Sequence, residues 1–356
     1  MDHNKIIKVL VTGGSGFIGR YLVKELLNKK NFRVFNIDKN SYAGQTDEEI
    51  NKIKNERYKF FKYDLCDKSR IKEIVLEIIP DLIINLAAET HVDRSIDNPG
   101  LFVENNIIGT LNLLEAVRNI YYKMPNDWQE KFIFYHAGTD EVYGSALKNE
   151  YFNEDSRYNP RSPYSASKAS CNFLVKSWFH TYNIPILIGN CSNNFGPEQF
   201  PEKLIPLSIF KALNNQEIPL YGNGEYIRDW IFVKDHINAI LKIIEFGKPG
   251  NSYCIGANNL KTNNQIVNSI CEILDKKLNP IITHKNLISY VDDRPGHDKR
   301  YALEITKIKN DLAWEPIYSF ENSLKLTVDW YVENQIWCRT KLLRANYNCE
   351  RLGLNK

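Results

Sequence analysis

A glycine-rich segment lies between an apolar run and a segment of helical period near the start of the chain. Val9–Val11 predicts a buried strand, residues 13–19 read Gly-Gly-Ser-Gly-Phe-Ile-Gly, and Phe17–Asn28 repeats apolar residues every three or four positions. The glycines match G-x-G-x-x-G, a pattern that lets the backbone approach a pyrophosphate held at a helix N-terminus. The segment therefore predicts a strand–turn–helix unit that binds a dinucleotide.

An acidic residue follows at the spacing that selects the cofactor. Val34–Ile37 predicts a second strand, and Asp38 stands at its end, nineteen residues after Gly19. A carboxylate there accepts hydrogen bonds from the adenosine ribose hydroxyls and repels a 2′-phosphate, so NAD is favoured over NADP. A flexible glycine turn is the alternative for the glycines alone. Strand, glycines, helix and spaced acid together argue against it.

Strands and helices alternate through the first half of the chain. Further strands are predicted at Phe60–Tyr63, Leu82–Leu86, Phe132–Tyr135 and Ile184–Ile188, and further helices at Lys68–Ile79, Val103–Tyr122 and Pro163–Tyr182. Such alternation is typical of a parallel sheet covered by helices on both faces. The predicted fold class is α/β, a Rossmann-type doubly wound parallel sheet with a smaller, interwoven C-terminal substrate domain.

The rhythm becomes irregular after about residue 195. Turn signals occur at Gly196-Pro197 and Gly222-Asn223-Gly224, and helices are predicted at Leu204–Asn214 and Thr262–Leu274. The tail after Trp337 is predicted to be either a docked helix or a frayed end. We expect a dinucleotide-binding domain at 1–195 with about 228–255 and 292–312, and a substrate-binding domain at 196–227, 256–291 and 313–356.

The composition favours small-molecule chemistry. With 46 Lys and Arg against 43 Asp and Glu in 356 residues, the chain offers no electrostatic basis for binding nucleic acid or an anionic membrane. No apolar run approaches the roughly 18 residues of a membrane helix. The seven cysteines are scattered without a C-x-x-C pair, which is typical of reduced thiols in the cytoplasm. The seven histidines form no ligand-spaced cluster, so we expect no metal site.

A tyrosine and a lysine are spaced one helical turn apart in Tyr164-Ser165-Ala166-Ser167-Lys168. On the helix predicted there, both side chains lie on one face. A neighbouring ammonium and the positive nicotinamide ring of NAD⁺ are expected to lower the pKa of the phenol from about 10, which would make it a usable base. Alone the pair is a weak signal, because the chain has 20 tyrosines and Tyr58…Lys62 matches it too.

Residues 12–19 together with Tyr164-x-x-x-Lys168 resemble the extended short-chain dehydrogenase/reductase superfamily. Within it, the chain resembles the nucleotide-glucose 4,6-dehydratases, above all those that act on dTDP-glucose, from about Lys8 to about Trp314. The motifs that carry this resemblance are Gly138-Thr139-Asp140-Glu141-Val142-Tyr143-Gly144, Asn190-Cys191-Ser192-Asn193-Asn194-Phe195-Gly196-Pro197, Phe200-Pro201-Glu202-Lys203-Leu204-Ile205-Pro206, Arg228-Asp229-Trp230 and Asp293-Arg294-Pro295-Gly296-His297-Asp298.

The resemblance implies oxidation of the sugar at C4, elimination of water across C5 and C6, and return of the hydride to C6. It assigns removal of the C5 proton to Glu141 and protonation of the C6 hydroxyl to a neutral Asp140. Thr139 would hydrogen-bond the C4 oxygen, Tyr164 would take the hydroxyl proton, and Lys168 would hold the cofactor ribose. The two adjacent carboxyls must then differ in pKa. From the residues alone, Thr-Asp-Glu after a strand also fits a helix cap or a surface turn.

The resemblance also assigns two sets of binding residues by motif position. The cofactor set is Gly13, Gly16, Phe17, Ile18, Gly19, Asp38, Asp64, Leu65, Ala87, Ala88, Tyr164, Lys168 and Asn194. The substrate set is Thr90, Thr139, Asn193, Lys203, Leu204, Pro219, Tyr221, Arg228, Asn263, Arg294 and His297. Fixed cations suit a diphosphate. Taken alone, Lys203 and His297 fit a solvated charge or a turn residue equally well.

Three positions depart from the resemblance. Gly138 replaces a common Ser, which could loosen the hydrogen bonding around the reacting hydroxyl. Glu198 stands where an aromatic residue or His is usual, which puts the preference for a nucleotide base in doubt. Asn105 replaces a common Thr.

The implied activity is NAD-dependent dehydration of dTDP-glucose by a homodimer, in deoxysugar or rhamnose synthesis. UDP-glucose is the alternative substrate. A UDP-glucuronate decarboxylase shares the fold and the Tyr-x-x-x-Lys pair but typically lacks an Asp at the position of Asp140, and an epimerase needs neither carboxylate. A non-catalytic NAD-binding sensor would have no physical need for the Tyr, the Lys and both carboxyls.

Overall fold

Twelve strands form three sheets in the computed structural model, which describes residues 6–353. The strands are β1 (Ile7–Thr12), β2 (Phe32–Ile37), β3 (Tyr58–Phe61), β4 (Leu82–Asn85), β5 (Ile133–Thr139), β6 (Ile186–Cys191), β7 (Asn193–Phe195), β8 (Ile218–Tyr221), β9 (Ile227–Phe232), β10 (Ser252–Ile255), β11 (Leu260–Thr262) and β12 (Ile288–Val291). Seven of them make one parallel sheet in the order β3-β2-β1-β4-β5-β6-β10. The order reverses beside β1, and a doubly wound sheet binds ligands at that point, outside the carboxyl ends of its strands.

Helices cover both faces of this sheet. They are α1 (Phe17–Asn28), α2 (Asp47–Asn51), α3 (Lys68–Ile78), α4 (Val92–Asp97), α5 (Pro99–Phe102), α6 (Gly109–Tyr121), α7 (Asn126–Gln129), α8 (Pro163–Tyr182), α9 (Leu204–Leu213), α10 (Val233–Phe246), α11 (Asn263–Leu278), α12 (Thr306–Leu312), α13 (Phe320–Glu333) and α14 (Gln335–Arg344). Val9 and Val11 of β1 enter one core and Leu10 enters the other. Burial on both faces explains why this strand reads as a continuous apolar run.

The predicted fold class is confirmed, and α1 and α8 have the predicted bounds. β5 runs on to Thr139 and β6 to Cys191, beyond the apolar runs that announced them. The extra residues are small or polar, so hydropathy did not reveal them as strand. These extensions carry the motif residues to the carboxyl edge of the sheet.

The helix predicted at Val103–Tyr122 is divided. Its first part, Val103–Ile108, has the wider π-helical turn, and α6 follows. Asn106 is fully buried there: its side-chain oxygen accepts from the Glu89 N–H at 2.7 Å, and its amide donates to the Glu89 carbonyl at 3.1 Å. The wider turn thus places an amide against the loop after β4, as such turns often do beside functional sites.

The irregular second part of the chain forms smaller sheets beside the large one. β11, β9 and β7 make a three-stranded sheet, and β12 pairs with β8. The bounds of the two domains stay a prediction, and residues 1–5 and 354–356 of those bounds lie outside the described residues. Within residues 6–353, no helix is long and apolar enough to cross a membrane.

The C-terminal tail contains a docked helix, α14, which resolves the two alternatives for it. Lys341 is 1% exposed, and its ammonium donates to Gly44 O at 2.9 Å and to Glu49 Oε2 at 2.5 Å. Trp337 donates to Glu49 Oε1 at 2.8 Å, and Arg344 donates to Gln45 O at 2.7 Å. The last helix therefore fixes the loop that follows β2.

We predict that Glu49→Gln destabilises the fold by about 1–3 kcal/mol at neutral pH, because the Lys341 ammonium loses a charged acceptor. Burial acts against ionisation of Glu49, but hydrogen bonds from Lys341, the Thr46 N–H and Trp337 lower its pKa from 4.5 to about 2. The ionised carboxylate therefore stabilises the fold above pH 4.5, and this contribution is lost as the pH falls toward 2. Urea unfolding across this range measures the difference between the two proteins.

The matched control is Glu48→Gln on the same helix. Glu48 pairs with Lys52 at 2.7 Å, and both side chains are more than two-thirds exposed, so this substitution changes stability little. Equal unfolding curves for Glu49→Gln and the unaltered protein at pH 7 would show that the buried pair does not stabilise the docked helix.

Candidate active site

A cavity of about 470 Å³ opens at the carboxyl ends of β1, β2, β4, β5 and β6. Its volume suits a small-molecule ligand. Every member of the cofactor set and of the substrate set lines it, and so do Asp140 and Glu141. The residues that line the cavity are spread along the chain from Gly13 to Leu352, and the fold brings them to one site. Lys203 and His297, for which a surface role was an equal alternative, face this cavity.

The glycine turn after β1 packs on the sheet and leaves room above it. Gly13 has φ +70°, and a Cβ there would lie 2.7 Å from the backbone of Ala87, in the loop after β4. At Gly16 a Cβ would meet only Gly13 O, at 3.3 Å, so the open side of this glycine faces the cavity. Asp38 accepts from the Ser15 N–H at 3.0 Å and also lines the cavity. These residues fit a dinucleotide whose pyrophosphate lies against the turn.

Thr139, Asp140 and Glu141 lie where β5 ends in a short 3₁₀ turn. Thr139 Oγ1 accepts from the Glu141 N–H at 3.3 Å and donates to Asp140 Oδ1 at 3.3 Å. The threonine therefore does cap this turn, as one reading of the motif predicted. Thr139 also lines the cavity, so its role as a cap is compatible with a role in contacting a ligand.

The two carboxyls have different electrostatic surroundings. Asp140 is 2% exposed, and burial, with the neighbouring Glu141, raises its pKa well above the ordinary value. Its Oδ2 is buried with no hydrogen-bond partner among residues 6–353. Burial also raises the pKa of Glu141, but the cations of Arg294, Arg228 and Lys203 act against the rise. Burial thus favours a proton on both carboxyls, and the cations oppose this effect at Glu141 more than at Asp140, where Arg228 acts against it.

Tyr164 and Lys168 both lie in the cavity wall on the first turns of α8. In the protein without cofactor, burial and the Glu141 carboxylate raise the pKa of Tyr164 well above 10. The predicted lowering includes the positive charge of NAD⁺ and stays a prediction. The Lys168 ammonium donates to Ala137 O at 2.7 Å, and burial lowers its own pKa. The pair alone does not produce a phenolate.

Three cations of the substrate set come from separate elements. Lys203 donates to Thr90 O at 2.7 Å, and Arg228 donates to Asp298 O at 2.8 Å. Arg294 pairs with Asp93 at 3.0 Å, while its buried Nε has no acceptor among the described residues. These contacts fix the three cations around the cavity.

Neutral polar groups complete the substrate side. Burial, with the cations Arg294 and Arg228, lowers the pKa of His297 to about 3, so its imidazole is neutral. The ring stacks on Tyr226 with centroids 3.8 Å apart. Asn193 lines the cavity, and its buried side-chain oxygen has no partner within residues 6–353. An unpartnered buried amide oxygen is a natural contact for a ligand hydroxyl.

The departure at Gly138 does not leave an empty space. A Cβ there would lie 1.9 Å from Asn190 Oδ1, so the Asn190 side chain fills the position. Asn190 Oδ1 accepts from Asn172 at 2.9 Å, and its amide donates to the Tyr143 hydroxyl at 2.9 Å. A buried amide network therefore occupies the space beside position 138, and the expected loosening around the reacting hydroxyl stays a prediction.

The other two departures lie apart from the reacting groups. Glu198 pairs with Arg20 of α1 at 3.6 Å and is not among the residues that line the cavity. Asn105 lines the cofactor side and accepts from Lys39 at 2.7 Å. Lys39 also pairs with Glu89 at 3.0 Å.

Several lining residues were missed by the sequence analysis. Asp93 binds both Arg294 and the Tyr221 hydroxyl, the latter at 2.7 Å. Tyr301 packs its ring 4.2 Å below the Arg228 guanidinium. Asp93 lies three residues after Thr90 of the substrate set, and Tyr301 lies three residues after the motif that ends at Asp298, so proximity along the chain was the available signal. Arg351 comes from the C-terminal tail, where no motif pointed to the cavity.

Comparison with known proteins agrees with this geometry. The profile described as GDP-mannose 4,6 dehydratase matches residues 10–327. A dTDP-glucose 4,6-dehydratase of Neisseria meningitidis is 45% identical over 354 residues, which cover 98% of this chain and 99% of that protein.

Solved structures of dTDP-glucose 4,6-dehydratases are similar over nearly the whole chain. The Bacillus anthracis enzyme in complex with NAD has a TM-score of 0.83 at 38% identity, covering 94% of this chain and 99% of that one. The Streptomyces venezuelae enzyme, also with NAD bound, has a TM-score of 0.85 at 34% identity, covering 94% and 100%. The chain therefore belongs to the nucleotide-sugar 4,6-dehydratase family, together with the dTDP-glucose 4,6-dehydratases.

Proposed function

We propose that this chain is an NAD-dependent lyase that converts dTDP-glucose to dTDP-4-keto-6-deoxyglucose. The observation that carries the proposal is the contrast between two neighbouring carboxyls. The buried Oδ2 of Asp140 has no partner among residues 6–353, and Arg228 does not prevent the rise in its pKa, whereas Arg294, Arg228 and Lys203 all oppose the rise at Glu141. A dehydration needs one acid and one base, and this pair supplies both. The enzymes similar to it along its whole length act on dTDP-glucose.

The cofactor set would hold NAD along the carboxyl edge of the sheet. The glycine turn would take the pyrophosphate, Asp38 the adenosine ribose, and Lys168 the nicotinamide ribose. When bound, NAD⁺ would be the hydride acceptor for C4 and, once reduced, the hydride donor for C6, so no external reductant would be needed. Leu65, Ala87 and the other members of the cofactor set line the cavity, where they would pack against the bound cofactor.

Tyr164 would take the proton of the C4 hydroxyl while Thr139 hydrogen-bonds the same oxygen. In the protein alone the phenol holds its proton firmly, because burial and Glu141 both raise its pKa. The positive charge of the oxidised cofactor beside it would oppose this rise. The base is therefore usable chiefly when the oxidised cofactor is in place.

Glu141 would remove the C5 proton once the C4 ketone has made it acidic, and Asp140 would give its proton to the C6 hydroxyl as water leaves. The carboxylate of Glu141 is stabilised by the cations around it. The carboxyl of Asp140 keeps its proton because it is buried beside another carboxylate. The two roles would thus follow from burial and charge rather than from residue type.

The substrate set would bind the rest of the molecule. The cations would hold the diphosphate, and the unpartnered oxygen of Asn193 would accept from a sugar hydroxyl. The buried neutral His297 and the Asn263 amide at the start of α11 would complete the nucleotide side.

Dehydration is tested by incubating the purified protein separately with dTDP-glucose and UDP-glucose and following the product mass. We expect the loss of one water from dTDP-glucose, and the ratio of the two kcat/KM values names the preferred substrate. Unchanged sugars in the presence of confirmed bound NAD would overturn the proposal. Release of carbon dioxide from UDP-glucuronate would instead support a decarboxylase.

We predict that Asp140→Asn and Glu141→Gln stop the reaction at different steps. Asp140→Asn should still oxidise C4 but stall before water is lost, because the leaving hydroxyl has no acid. Glu141→Gln should abolish exchange of the C5 proton with solvent. Losing a general acid or base costs roughly 10²–10⁴-fold in rate. Deuterium uptake at C5 and product mass separate the two variants.

The control for this pair is Glu150→Gln, which changes an exposed carboxyl in the loop after the same turn. It should keep both proton exchange and water loss. Normal turnover by Glu141→Gln would show that another group removes the C5 proton.

The acid limb of the kcat/KM profile reports the ionisation of essential groups in the free enzyme. We predict that Arg294→Gln moves this limb to higher pH. The Arg294 cation is the strongest of the three that oppose the rise in the pKa of Glu141, so its removal raises that pKa further and leaves the base protonated at higher pH. Initial rates between pH 5 and 9 measure the midpoint.

Arg161→Gln is the matched control for this shift. Arg161 is an exposed cation that pairs with Asp298 at 3.7 Å and does not line the cavity. Its removal should leave the acid limb in place. If the acid limb of the kcat/KM profile does not move in Arg294→Gln, the group that titrates in this limb is not Glu141.

We propose that the enzyme works as a homodimer in the cytoplasm. Val103, Ile108 and Phe173 are each at least 40% exposed on neighbouring helical segments, which supports an interface there. All seven cysteines are free thiols, which suits a reducing compartment.

A further inference from the structure

The C-terminal tail continues past α14 and reaches the cavity. Tyr347 packs with Phe200 and Leu342 in a small apolar cluster. Further on, the Gly353 N–H donates to Asp97 Oδ2 at 2.8 Å. Residues 347 and 349–352 line the cavity, so the tail forms part of its wall rather than a loose end.

Arg351 is the cation that this tail brings to the substrate side. Its guanidinium lies 5.3 Å from the centre of the Tyr221 ring, and one of its terminal nitrogens donates to the carbonyl of Asp292. Among residues 6–353, no carboxylate forms an ion pair with it, and its buried Nε has no hydrogen-bond acceptor. The position of Arg351 is fixed, while part of its donor capacity is unused.

Arg294, which also lines the cavity, likewise has an Nε–H group that it does not use. Its Nε is also buried without an acceptor in the described part of the chain. Both guanidinium charges act on the Tyr221 phenol, since each works against the rise in its pKa that burial and Asp93 cause. Two arginines with unused buried N–H groups therefore converge on one tyrosine of the substrate set.

Unsatisfied buried donors are costly, and charged ones most of all. A diphosphate offers several anionic oxygens and is well matched to two guanidinium groups. We propose that Arg351 binds the nucleoside diphosphate part of the substrate together with Arg294. This assignment rests on the proposed function and adds to it a residue outside every motif of the sequence analysis.

Binding of dTDP to the NAD-loaded enzyme, measured by calorimetry, tests the assignment. Arg351→Gln removes the charge and keeps most of the length, so the Kd of dTDP should rise roughly ten- to hundredfold, the loss of a charge-assisted hydrogen bond. The KM for dTDP-glucose should rise in parallel while kcat is kept, because Arg351 does not touch the reacting atoms. Arg351→Lys should recover part of the affinity.

The matched control is Arg339→Gln on the exposed side of α14, where the side chain contacts Asn214. It should leave the Kd of dTDP unchanged. The melting temperature and the NAD content of Arg351→Gln show whether the tail still folds, and Arg351→Lys tests the charge if they fall. UDP should lose affinity by the same factor as dTDP, since the two share the diphosphate.

An unchanged Kd of dTDP in a folded Arg351→Gln protein overturns the assignment. A loss confined to dTDP, with UDP unaffected, would place Arg351 on the base and would also overturn it. Failure of the proposed function looks different: the unaltered enzyme would then leave dTDP-glucose unchanged, whatever residue stands at position 351.

Discussion

Ionising a buried carboxyl is costly, and the site depends on dividing that cost unequally between two neighbours on the chain. Asp140 bears it without a compensating partner for one of its oxygens, whereas Glu141 shares a space with three cations. Those cations come from before α9, from β9 and from after β12. The second part of the chain therefore supplies the cations that act on carboxyls of the first part, so the electrostatic surroundings of Asp140 and Glu141 need both parts.

The N-terminal half could be predicted because its signals are local. The glycine turn, Asp38 and the helix Phe17–Asn28 follow one another within thirty residues, and each constrains the next. The bounds of α1 follow from periodicity, and those of α8 agree with local capping as well, since Ser162 caps α8 and Pro163 occupies its first turn. Local chemistry of this kind needs no knowledge of the tertiary structure.

Other features depend on contacts that no short pattern contains. The π-helical turn at Val103–Ile108 exists because Asn106 bonds to the backbone of Glu89, seventeen residues earlier. The direction of the Tyr164 pKa depends on burial and on Glu141, while the lysine one turn away donates elsewhere. The place of Glu198 beside Arg20 likewise follows only from the packing of α1. In each case the deciding partner is distant in sequence.

The docked C-terminal helix has a consequence for the order in which the enzyme is completed. Domains generally form from the N-terminus during synthesis, so the large sheet can assemble while the ribosome is still making the rest. The loop after β2 gains its hydrogen bonds from Lys341 and Arg344 only after α14 has been synthesised. A truncated chain that ends before α14 would contain every recognised motif. It would still lack the contacts of Lys341 and Arg344 with the loop after β2, so this side of the cofactor site would be completed last.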